Sequence, residues 1–333
     1  MKGVVSSLVG RACDRSAGLP LSESVARPPT KPAPILVAMT DVTAPAKLES
    51  PRASGLYLVP VLAGGGTRLA AHVGVLAALD ELQVRYARIV GVSGGSIVAA
   101  LRAAGWSPER MLELVLTVNF ARFRGRSLVE LIKRGGLSSG DGFEQWLDTQ
   151  LEGKTFVDLA TDLAVVATDV RSSRPVIFDR RTTPNLKVSH AVRCSMGIPL
   201  LFSFRPWQGG LLVDGSILSE DALHRDWSGD GTPVCLFRMR SEAQTRPMPL
   251  NRLFPLSSYL NMLIRTFMTT ISREFVDARY WPRTIVIDTG PCSLLEFKLD
   301  RTQKTDLYRR GLQTTREILP LKFEVERVGS GIR

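Results

Sequence analysis

The chain has 333 residues, 44% of them hydrophobic and 23% charged, a composition that excludes an intrinsically disordered protein and allows a substantial core. Its formal net charge of +11 favours anionic partners. Basic and aromatic residues are not interleaved as in a nucleic-acid module, so we expect contact with a phospholipid surface and none with nucleic acid. Four scattered cysteines and only three histidines predict neither disulfides nor a metal site.

Composition divides the chain into three regions. Residues 1–54 are rich in Pro, Ala, Ser and Thr without periodicity, which predicts a flexible leader. Residues 55–325 contain no Pro- or Gly-rich linker, so we expect one domain, followed by a short tail at 326–333. No segment has the roughly 18 consecutive apolar residues of a transmembrane helix, and the apolar patch Val4–Val9 is too short for a secretion signal. We expect a cytoplasmic protein that contacts membranes peripherally.

The hydrophobic pattern from residue 55 onward predicts alternating strands and helices. Leu56–Ala63 and Tyr86–Val90 are typical of strands, and each precedes a helical pattern, at Leu69–Leu79 and Ile97–Ala104. Further helices are predicted at Pro108–Phe123, Gly142–Leu151 and about Thr305–Leu319, and further strands at Leu163–Ala167, Pro175–Phe178, Leu211–Val213, Val234–Met239 and Thr284–Ile287. Successive strand–helix units imply an α/β protein with a mostly parallel sheet.

The turn before the second helix carries the G-x-S-x-G run Gly91-Val92-Ser93-Gly94-Gly95. On a tight strand-to-helix turn such a serine exposes its Oγ, while Gly91 and Gly95 remove side chains that would clash and Gly94 can adopt a positive φ cheaply. The N-terminus of the following helix can stabilise developing negative charge. A purely structural turn is the alternative, but the strand before the run and the helix after it favour Ser93 as a nucleophile.

A second glycine turn, Gly64-Gly65-Gly66-Thr67-Arg68, follows the first predicted strand. Its bare backbone amides can approach an oxyanion closely, so we interpret it as an oxyanion hole. The nucleotide-binding alternatives lack required residues: the Gly-Lys-Ser/Thr ending of a Walker loop, and the third glycine of the dinucleotide fingerprint, where Leu69 stands. A tight turn without function is the remaining alternative.

A nucleophilic serine needs a base. His72 falls within a predicted helix, His190 begins one, and His224 follows Asp214 by only ten residues, which is close for the usual Ser, Asp, His order. Asp214 directly follows an apolar strand, where a partly buried carboxylate can act on Ser93 as a general base. The order and context of the three motifs favour this interpretation over a simple Asp-Gly turn.

With these motifs in order, the chain resembles the patatin-like phospholipases, of bacterial type, over about residues 55–325. The resemblance rests on the segments Gly64–Arg68, His72–Leu76, Gly91–Gly95 and Asp214-Gly215. Weaker matches are Gly153–Phe156 with Ala167–Asp169, and Val192–Ser195 with Ile198-Pro199. The chain departs from the family's pattern at Leu69, at Ser216 and at Ser219–Ala222.

The resemblance implies a three-layer α/β/α fold that hydrolyses fatty acyl esters of phospholipids or other lipids through an acyl-enzyme. It further implies a Ser-Asp dyad that needs no histidine, metal or cofactor. Carried over by position, Ser93 matches the nucleophile and Asp214 the general base. The backbone of Gly65, Gly66, Thr67 and Arg68 matches the oxyanion site.

Two alternatives to this function stay open, as does the way the chain meets its substrate. One alternative is a Ser93–Asp214–His224 triad on an ordinary α/β-hydrolase, and the other is a non-catalytic lipid-binding protein of the same fold. An apolar stripe within residues 256–278, with Arg252, Arg265 and Arg273 nearby, is typical of a core or lid helix or of one lying at an anionic membrane surface. We expect transient membrane contact.

Overall fold

A computed structural model describes residues 55–125, 127–217, 220–241, 259, 262–263, 266, 278–292 and 296–323. The leader, the tail and nearly all of the stripe at 256–278 lie outside these residues, so their predictions stay predictions. None of the helices in the described part of the chain combines the length and apolarity needed to cross a membrane.

A sheet of eight strands in the described residues forms the centre of the fold, with the order β10-β9-β1-β2-β4-β8-β7 and β5 paired to β4. The strands, including a separate two-stranded pair of β3 and β6, are β1 Val59–Ala63, β2 Arg88–Val92, β3 Gly136–Ser138, β4 Asp162–Asp169, β5 Arg174–Phe178, β6 Leu200–Phe202, β7 Arg205–Trp207, β8 Gly210–Val213, β9 Val234–Arg240 and β10 Thr284–Asp288. From β10 to β4 all neighbours are parallel, whereas β5, β8 and β7 pair antiparallel. The predicted mostly parallel α/β sheet is confirmed.

Helices cover the sheet. They are α1 Leu69–Glu81, α2 Gly94–Ala103, α3 Pro108–Thr117, α4 Leu128–Arg134, α5 Asp141–Gln150, α6 Val188–Ser195, α7 Glu220–Leu223 and α8 Arg301–Phe323. Because side chains alternate along a strand, Leu62 of β1 packs into the large core with α1, α2, α3, α5, α6 and α8, while Val61 packs on the opposite face with Leu223 and Trp227. Strands buried on both faces explain the continuous apolar runs in the sequence.

Helix α1 is enclosed rather than amphipathic, since every residue from Leu69 to Leu79 is buried. It lies against α8 at a very short backbone distance. A Cβ on Gly74 would come 2.1 Å from the carbonyl oxygen of Tyr308, and a Cβ on Gly311 would come 2.0 Å from that of Ala71. These two glycines therefore permit the helix crossing that holds the start of α1, and the turn before it, in place.

Helix α4 and the short strands β3, β6 and β7 are not among the predicted elements. The segment Pro108–Phe123, which the pattern predicts as one helix, is broken in the structure. Helix α3 ends at Thr117, Val118 is extended, and a 3-10 turn follows at Phe120–Phe123. The Asn119 side chain accepts a hydrogen bond from the backbone of Ala121, which caps the new turn and offers the backbone an alternative to continued helix. The break turns Phe120 and Phe123 toward the site described next.

Candidate active site

Sheet register brings Ser93 and Asp214 together. Val92 at the end of β2 pairs with Val166 of β4, and Val213 at the end of β8 pairs with Thr168 of the same strand. The residues that follow these two ends, Ser93 and Asp214, therefore converge beside Ala167. A parallel and an antiparallel neighbour of one strand thus supply the two polar groups, and the carboxyl ends of parallel strands are where α/β proteins place ligand sites.

Ser93 occupies a strained backbone conformation between β2 and α2. Its φ is 53° and its ψ is −131°, values that few residues with a Cβ adopt. Its backbone N–H donates to Ser195 Oγ at 2.9 Å, and Ser195 Oγ donates to the carbonyl of Val166 at 2.6 Å. Ser195, on α6, therefore links the turn that carries Ser93 to strand β4.

The segment Gly91–Gly95 is called the nucleophile turn here, after the predicted role of Ser93. Its glycines leave room for neighbouring backbone that a side chain would meet. A Cβ on Gly94 would lie 2.4 Å from the carbonyl oxygen of Gly66, and one on Gly95 would lie 2.1 Å from that of Leu62. The expectation that Gly94 supplies a positive φ is wrong, because Gly94 is the first residue of α2 and the positive φ belongs to Ser93. Gly91 lies in β2 rather than in the turn itself, and a Cβ there would approach Ser96 Cα at 2.4 Å.

Asp214 accepts a hydrogen bond directly from Ser93. Ser93 Oγ donates to Asp214 Oδ2 at 2.6 Å, and each residue is only 1% exposed. Asp214 Oδ1 accepts from the backbone of Ser216, and the Asp214 N–H donates to Gly197. Burial raises the pKa of Asp214 to about 6, against the opposing effect of these hydrogen bonds. The pair thus combines a hydroxyl with a carboxylate whose proton affinity suits a base near neutral pH.

The oxyanion turn, Gly64–Arg68, lies against the nucleophile turn. Gly64, Gly65 and Gly66 have φ values of 67°, 100° and 53°, a run that side-chain-bearing residues avoid. The N–H groups of Gly65 and Gly66 have no hydrogen-bond partner in the described part of the chain. Arg68 does not match its predicted role, since its backbone N–H donates to the carbonyl of Gly65.

The Arg68 guanidinium stabilises the oxyanion turn through hydrogen bonds. Arg68 is fully buried, and its Nε donates to Gly65 O at 3.1 Å while Nη1 donates to Thr289 Oγ1 at 2.6 Å. Burial lowers the pKa of Arg68 to about 10, which leaves it positively charged at neutral pH. Thr67, next in the turn, donates through Oγ1 to the carbonyl of Glu296 at 3.0 Å.

The three histidines contact groups other than Ser93. His72 lies 3.2 Å from the Gly64 carbonyl, and burial lowers its pKa to about 4. His190 Nδ1 lies 2.9 Å from Glu144. His224 stacks on Tyr280 and lies 3.4 Å from Thr284 of β10. Strand β10 is three strands from β2, roughly 14 Å at the usual spacing of about 4.8 Å.

An apolar pocket opens beside the oxyanion turn. It is lined by Gly66, Thr67, Leu69, Ile97, Phe120, Phe123, Phe143, Met196, Ile198, Phe202 and Phe297. The 3-10 turn after α3 supplies Phe120 and Phe123, so the break in the predicted helix builds one wall. Leu69, where the chain departs from the family's pattern, supplies another part of the lining. The free space within it is about 20 Å³, so an acyl chain would enter by displacing the side chains of this apolar lining.

Sequence reasoning missed two contributors to this geometry. Ser195 fixes the Ser93 backbone, and the only signal was its place in the segment Val192–Ser195, which gave a weak match without a role. Gly94 was assigned a conformational role, whereas its backbone lies at the N-terminus of α2, against the oxyanion turn. Both depend on tertiary contacts that spacing along the chain does not reveal.

Comparison with known proteins identifies the family of the region that carries these residues. A family model described as patatin-like phospholipase matches residues 61–224, the stretch that contains both Ser93 and Asp214. Residues 61–224 belong to the patatin-like phospholipase family. Among known structures, the crystal structure of VipD from Legionella pneumophila aligns with a TM-score of 0.58 at 14% identity, covering 80% of this chain and 67% of that one. At this identity the likeness concerns the fold.

Two sequence relatives are informative about extent. "Uncharacterized protein R571" of Acanthamoeba polyphaga mimivirus is 27% identical over 277 residues, covering 77% of this chain and 91% of its own. "Probable lipid hydrolase 463L" of Invertebrate iridescent virus 6 is 26% identical over 181 residues, covering 48% of this chain and 60% of its own. The sequence similarity therefore extends over most of the first relative and about three fifths of the second.

Proposed function

We propose that this protein is a serine acyl hydrolase that cleaves fatty acyl ester bonds of phospholipids or related lipids. Membership of the patatin-like phospholipase family supports a lipid hydrolase, as does a relative named as one. The observation that carries the finer proposal is the 2.6 Å hydrogen bond from Ser93 Oγ to the buried Asp214, which makes Ser93 the nucleophile and Asp214 the general base.

In the first chemical step, Ser93 Oγ attacks the ester carbonyl carbon while its proton moves to Asp214. The carbonyl oxygen becomes an oxyanion, and the tetrahedral intermediate then expels the alcohol, which takes the proton from Asp214. In the second step Asp214 removes a proton from water, the hydroxide adds to the acyl carbonyl, and the Ser93–acyl bond breaks as the proton returns to Ser93. The products are a fatty acid and the alcohol, and both residues are regenerated.

The oxyanion is stabilised by backbone groups in this mechanism. The N–H groups of Gly65 and Gly66 are available, and the N–H of Gly94 belongs to the first turn of α2, which has no intrahelical partners for its amides. The positive end of the α2 dipole and the buried positive charge of Arg68 add favourable potential at the same place. The proposal keeps the Thr67 backbone in the oxyanion turn, as the resemblance implies. No histidine, metal or cofactor is required.

The acyl chain enters the apolar pocket beside Gly66, and the net charge of +11 attracts the protein to anionic membrane surfaces for transient contact. This contact is tested by comparing hydrolysis on anionic vesicles with hydrolysis of dispersed monomeric esters. We expect a higher rate on the vesicles that falls as salt is added, because surface charge interactions are screened. Equal rates on the two substrates would contradict the proposed contact with an anionic membrane surface.

A fluorophosphonate probe tests the nucleophile. We expect mass spectrometry to locate the label on Ser93, and the Ser93→Ala variant to lose both labelling and hydrolysis, by at least about 10³-fold. Asp214→Asn should lose hydrolysis to a similar degree. Folded wild-type protein that resists the probe and releases no fatty acid would instead favour a non-catalytic lipid-binding protein.

The His224→Ala variant distinguishes the Ser-Asp dyad from a Ser93–Asp214–His224 triad. Since His224 stacks on Tyr280 three strands away from β2, the dyad proposal expects this variant to keep hydrolysis within about twofold of wild type. The matched comparison is Asp214→Asn, measured on the same ester. Loss of activity in both variants to the same degree would support a Ser93–Asp214–His224 triad.

A further inference from the structure

A second, polar cavity of about 370 Å³ adjoins the apolar pocket. The two share three lining residues, Thr67, Phe120 and Phe297. Thr67 belongs to the oxyanion turn, so the polar cavity lies one residue along the chain from the proposed oxyanion donor Gly66. A lipid whose ester carbonyl sits at Gly66 and whose acyl chain fills the apolar pocket would have a neighbouring polar space for the rest of the molecule.

Two lysines give the polar cavity its positive charge. Lys304, in the first turn of α8, is 8% exposed, and its ammonium donates to the carbonyl of Val118 at 2.8 Å and, more weakly, to that of Leu116 at 3.4 Å. An ammonium has three donors, so one remains for a ligand. Burial lowers the pKa of Lys304, because the charged form loses water, and a bound anion would offset that loss. Lys298 lines the same cavity and is exposed.

Neutral and acidic groups complete the lining. Asn119 accepts a hydrogen bond from Ala121 through Oδ1, and its side-chain amide hydrogens remain available as donors. Glu296, an exposed residue, is the one acidic residue of the lining within the described part of the chain. The cavity thus offers two cations and an amide to an anion, and one carboxylate to a cation. This combination suits a group that carries both charges.

We propose that the polar cavity binds the headgroup of a zwitterionic glycerophospholipid, with Lys304, Lys298 and Asn119 serving the phosphate and Glu296 serving the amine. The inference rests on the proposed function, since it assumes that the lipid ester reacts at Ser93. It also narrows that function, because it makes amine-bearing phospholipids better substrates than neutral diacylglycerols with the same acyl chains.

The test compares three substrates that share their acyl chains, phosphatidylethanolamine, phosphatidylglycerol and diacylglycerol, in mixed micelles of one nonionic detergent. We expect Lys298→Met, and Lys304→Met where it folds, to lower kcat/KM for phosphatidylethanolamine about threefold to tenfold more than kcat/KM for diacylglycerol, because one hydrogen-bonded contact with the phosphate is lost. Glu296→Gln should lower the ratio of phosphatidylethanolamine to phosphatidylglycerol hydrolysis. Lys133→Met, which removes an exposed charge from α4 outside the cavity, is the control and should change no ratio.

A binding measurement separates this inference from the proposed function. Ligand-observed NMR with glycerophosphoethanolamine, on full-length Ser93→Ala protein, should give saturation transfer that Lys298→Met abolishes and Lys133→Met retains. Because Lys298 is exposed, its replacement leaves the fold intact even if Lys304→Met does not. Unaltered binding and unaltered substrate ratios in Lys298→Met overturn the cavity assignment, whereas specific binding by a protein that hydrolyses no ester overturns only the proposed function.

Discussion

The oxyanion turn and the nucleophile turn are built alike yet use glycine for different physical reasons. Both join a parallel strand to a helix, and they lie side by side at the ends of β1 and β2. In the oxyanion turn, three consecutive glycines have positive φ, and the amides of Gly65 and Gly66 are left unbonded among the described residues. In the nucleophile turn the positive φ belongs to Ser93, and the glycines are required for space.

Glycine is therefore required for its backbone conformation in the oxyanion turn and for the absence of a side chain in the nucleophile turn. In the oxyanion turn, a Cβ on Gly65 would approach the end of a side chain, His72 Nε2, at 3.1 Å. In the nucleophile turn, a Cβ on Gly95 would approach the backbone of β1 in the centre of the sheet. A side chain can give way by a small rotation, whereas a central strand cannot. The same substitution, glycine to alanine, should therefore damage chemistry in one turn and folding in the other.

The largest effect is expected for Gly95→Ala. Its Cβ would lie 2.1 Å from the Leu62 carbonyl oxygen, so β1 or α2 must move, and we expect a loss of unfolding free energy of about 3 kcal/mol or more. Urea unfolding followed by circular dichroism measures it. Gly142→Ala is the matched control: Gly142 is exposed in α5, a Cβ there meets no atom within 4 Å, and stability should be unchanged or higher by up to about 1 kcal/mol.

Gly65→Ala should instead lower activity in a protein that still folds. Alanine strains at a φ of +100°, so the amide directions of the turn shift, and we expect kcat/KM to fall about 10²-fold, as when one oxyanion donor is lost. Gly105→Ala controls for backbone strain alone, since Gly105 has a φ of +94° with open space around it and lies after α2. Equal loss of activity in both variants would contradict a special role for Gly65.

Sequence patterns predicted much of this arrangement because strand order and motif position are local properties. The strand–helix units, the turns at Gly64 and Ser93, and the placement of Asp214 after an apolar strand all follow from short-range periodicity and turn chemistry. The assignment of the positive φ to Gly94 failed for a physical reason: glycine tolerates that conformation, but here the close approach of Gly66 leaves no room for any Cβ, and Ser93 takes the strain.

Long-range partners were beyond the same reasoning. The bond from Ser93 to Ser195 joins residues 102 positions apart, and nothing in the spacing of either segment indicates it. The Arg68 N–H was predicted as an oxyanion donor because it follows the glycines, yet the local turn uses it to bond Gly65. The polar cavity likewise combines Lys304 with the break after α3, two features separated by most of the domain.

The pH dependence of hydrolysis should follow the ionisation of Asp214, the residue that accepts the hydrogen bond of Ser93 in the nucleophile turn. Attack by Ser93 needs Asp214 ionised, and its pKa is raised to about 6, so kcat/KM should rise about tenfold per pH unit below 6 and level off above it. Near the oxyanion turn, the pKa of His72 is lowered to about 4, so no second inflection is expected between pH 5 and 8. A second inflection in that range, or activity that stays level down to pH 4, would contradict the assignment.

The free energy of unfolding should fall over the pH range in which hydrolysis rises. A carboxyl group whose pKa is higher in the folded state binds its proton more tightly there, so ionised Asp214 destabilises the fold. This contribution makes unfolding easier as the pH rises from about 4 to about 6. Asp214→Asn should then be inactive yet more stable at pH 7 than wild type, by on the order of 2 kcal/mol. Thermal unfolding at pH 4 and pH 7 measures the difference, which should shrink at the lower pH.

The smallest effect on catalysis is expected for Ser195→Ala, which removes the link between the nucleophile turn and β4. The buried Ser93 N–H and the Val166 carbonyl would lose their shared partner, at a cost of about 1–3 kcal/mol in unfolding free energy. Because Ser93 is strained, loosening its backbone should also lower kcat about threefold to tenfold. Ser189→Ala, which removes another buried hydroxyl bond from α6, to Asp148, should cost similar stability with kcat unchanged. A matching decrease in kcat for both variants would mean that α6 acts only as a packing element and that the nucleophile turn keeps its geometry through the glycines alone.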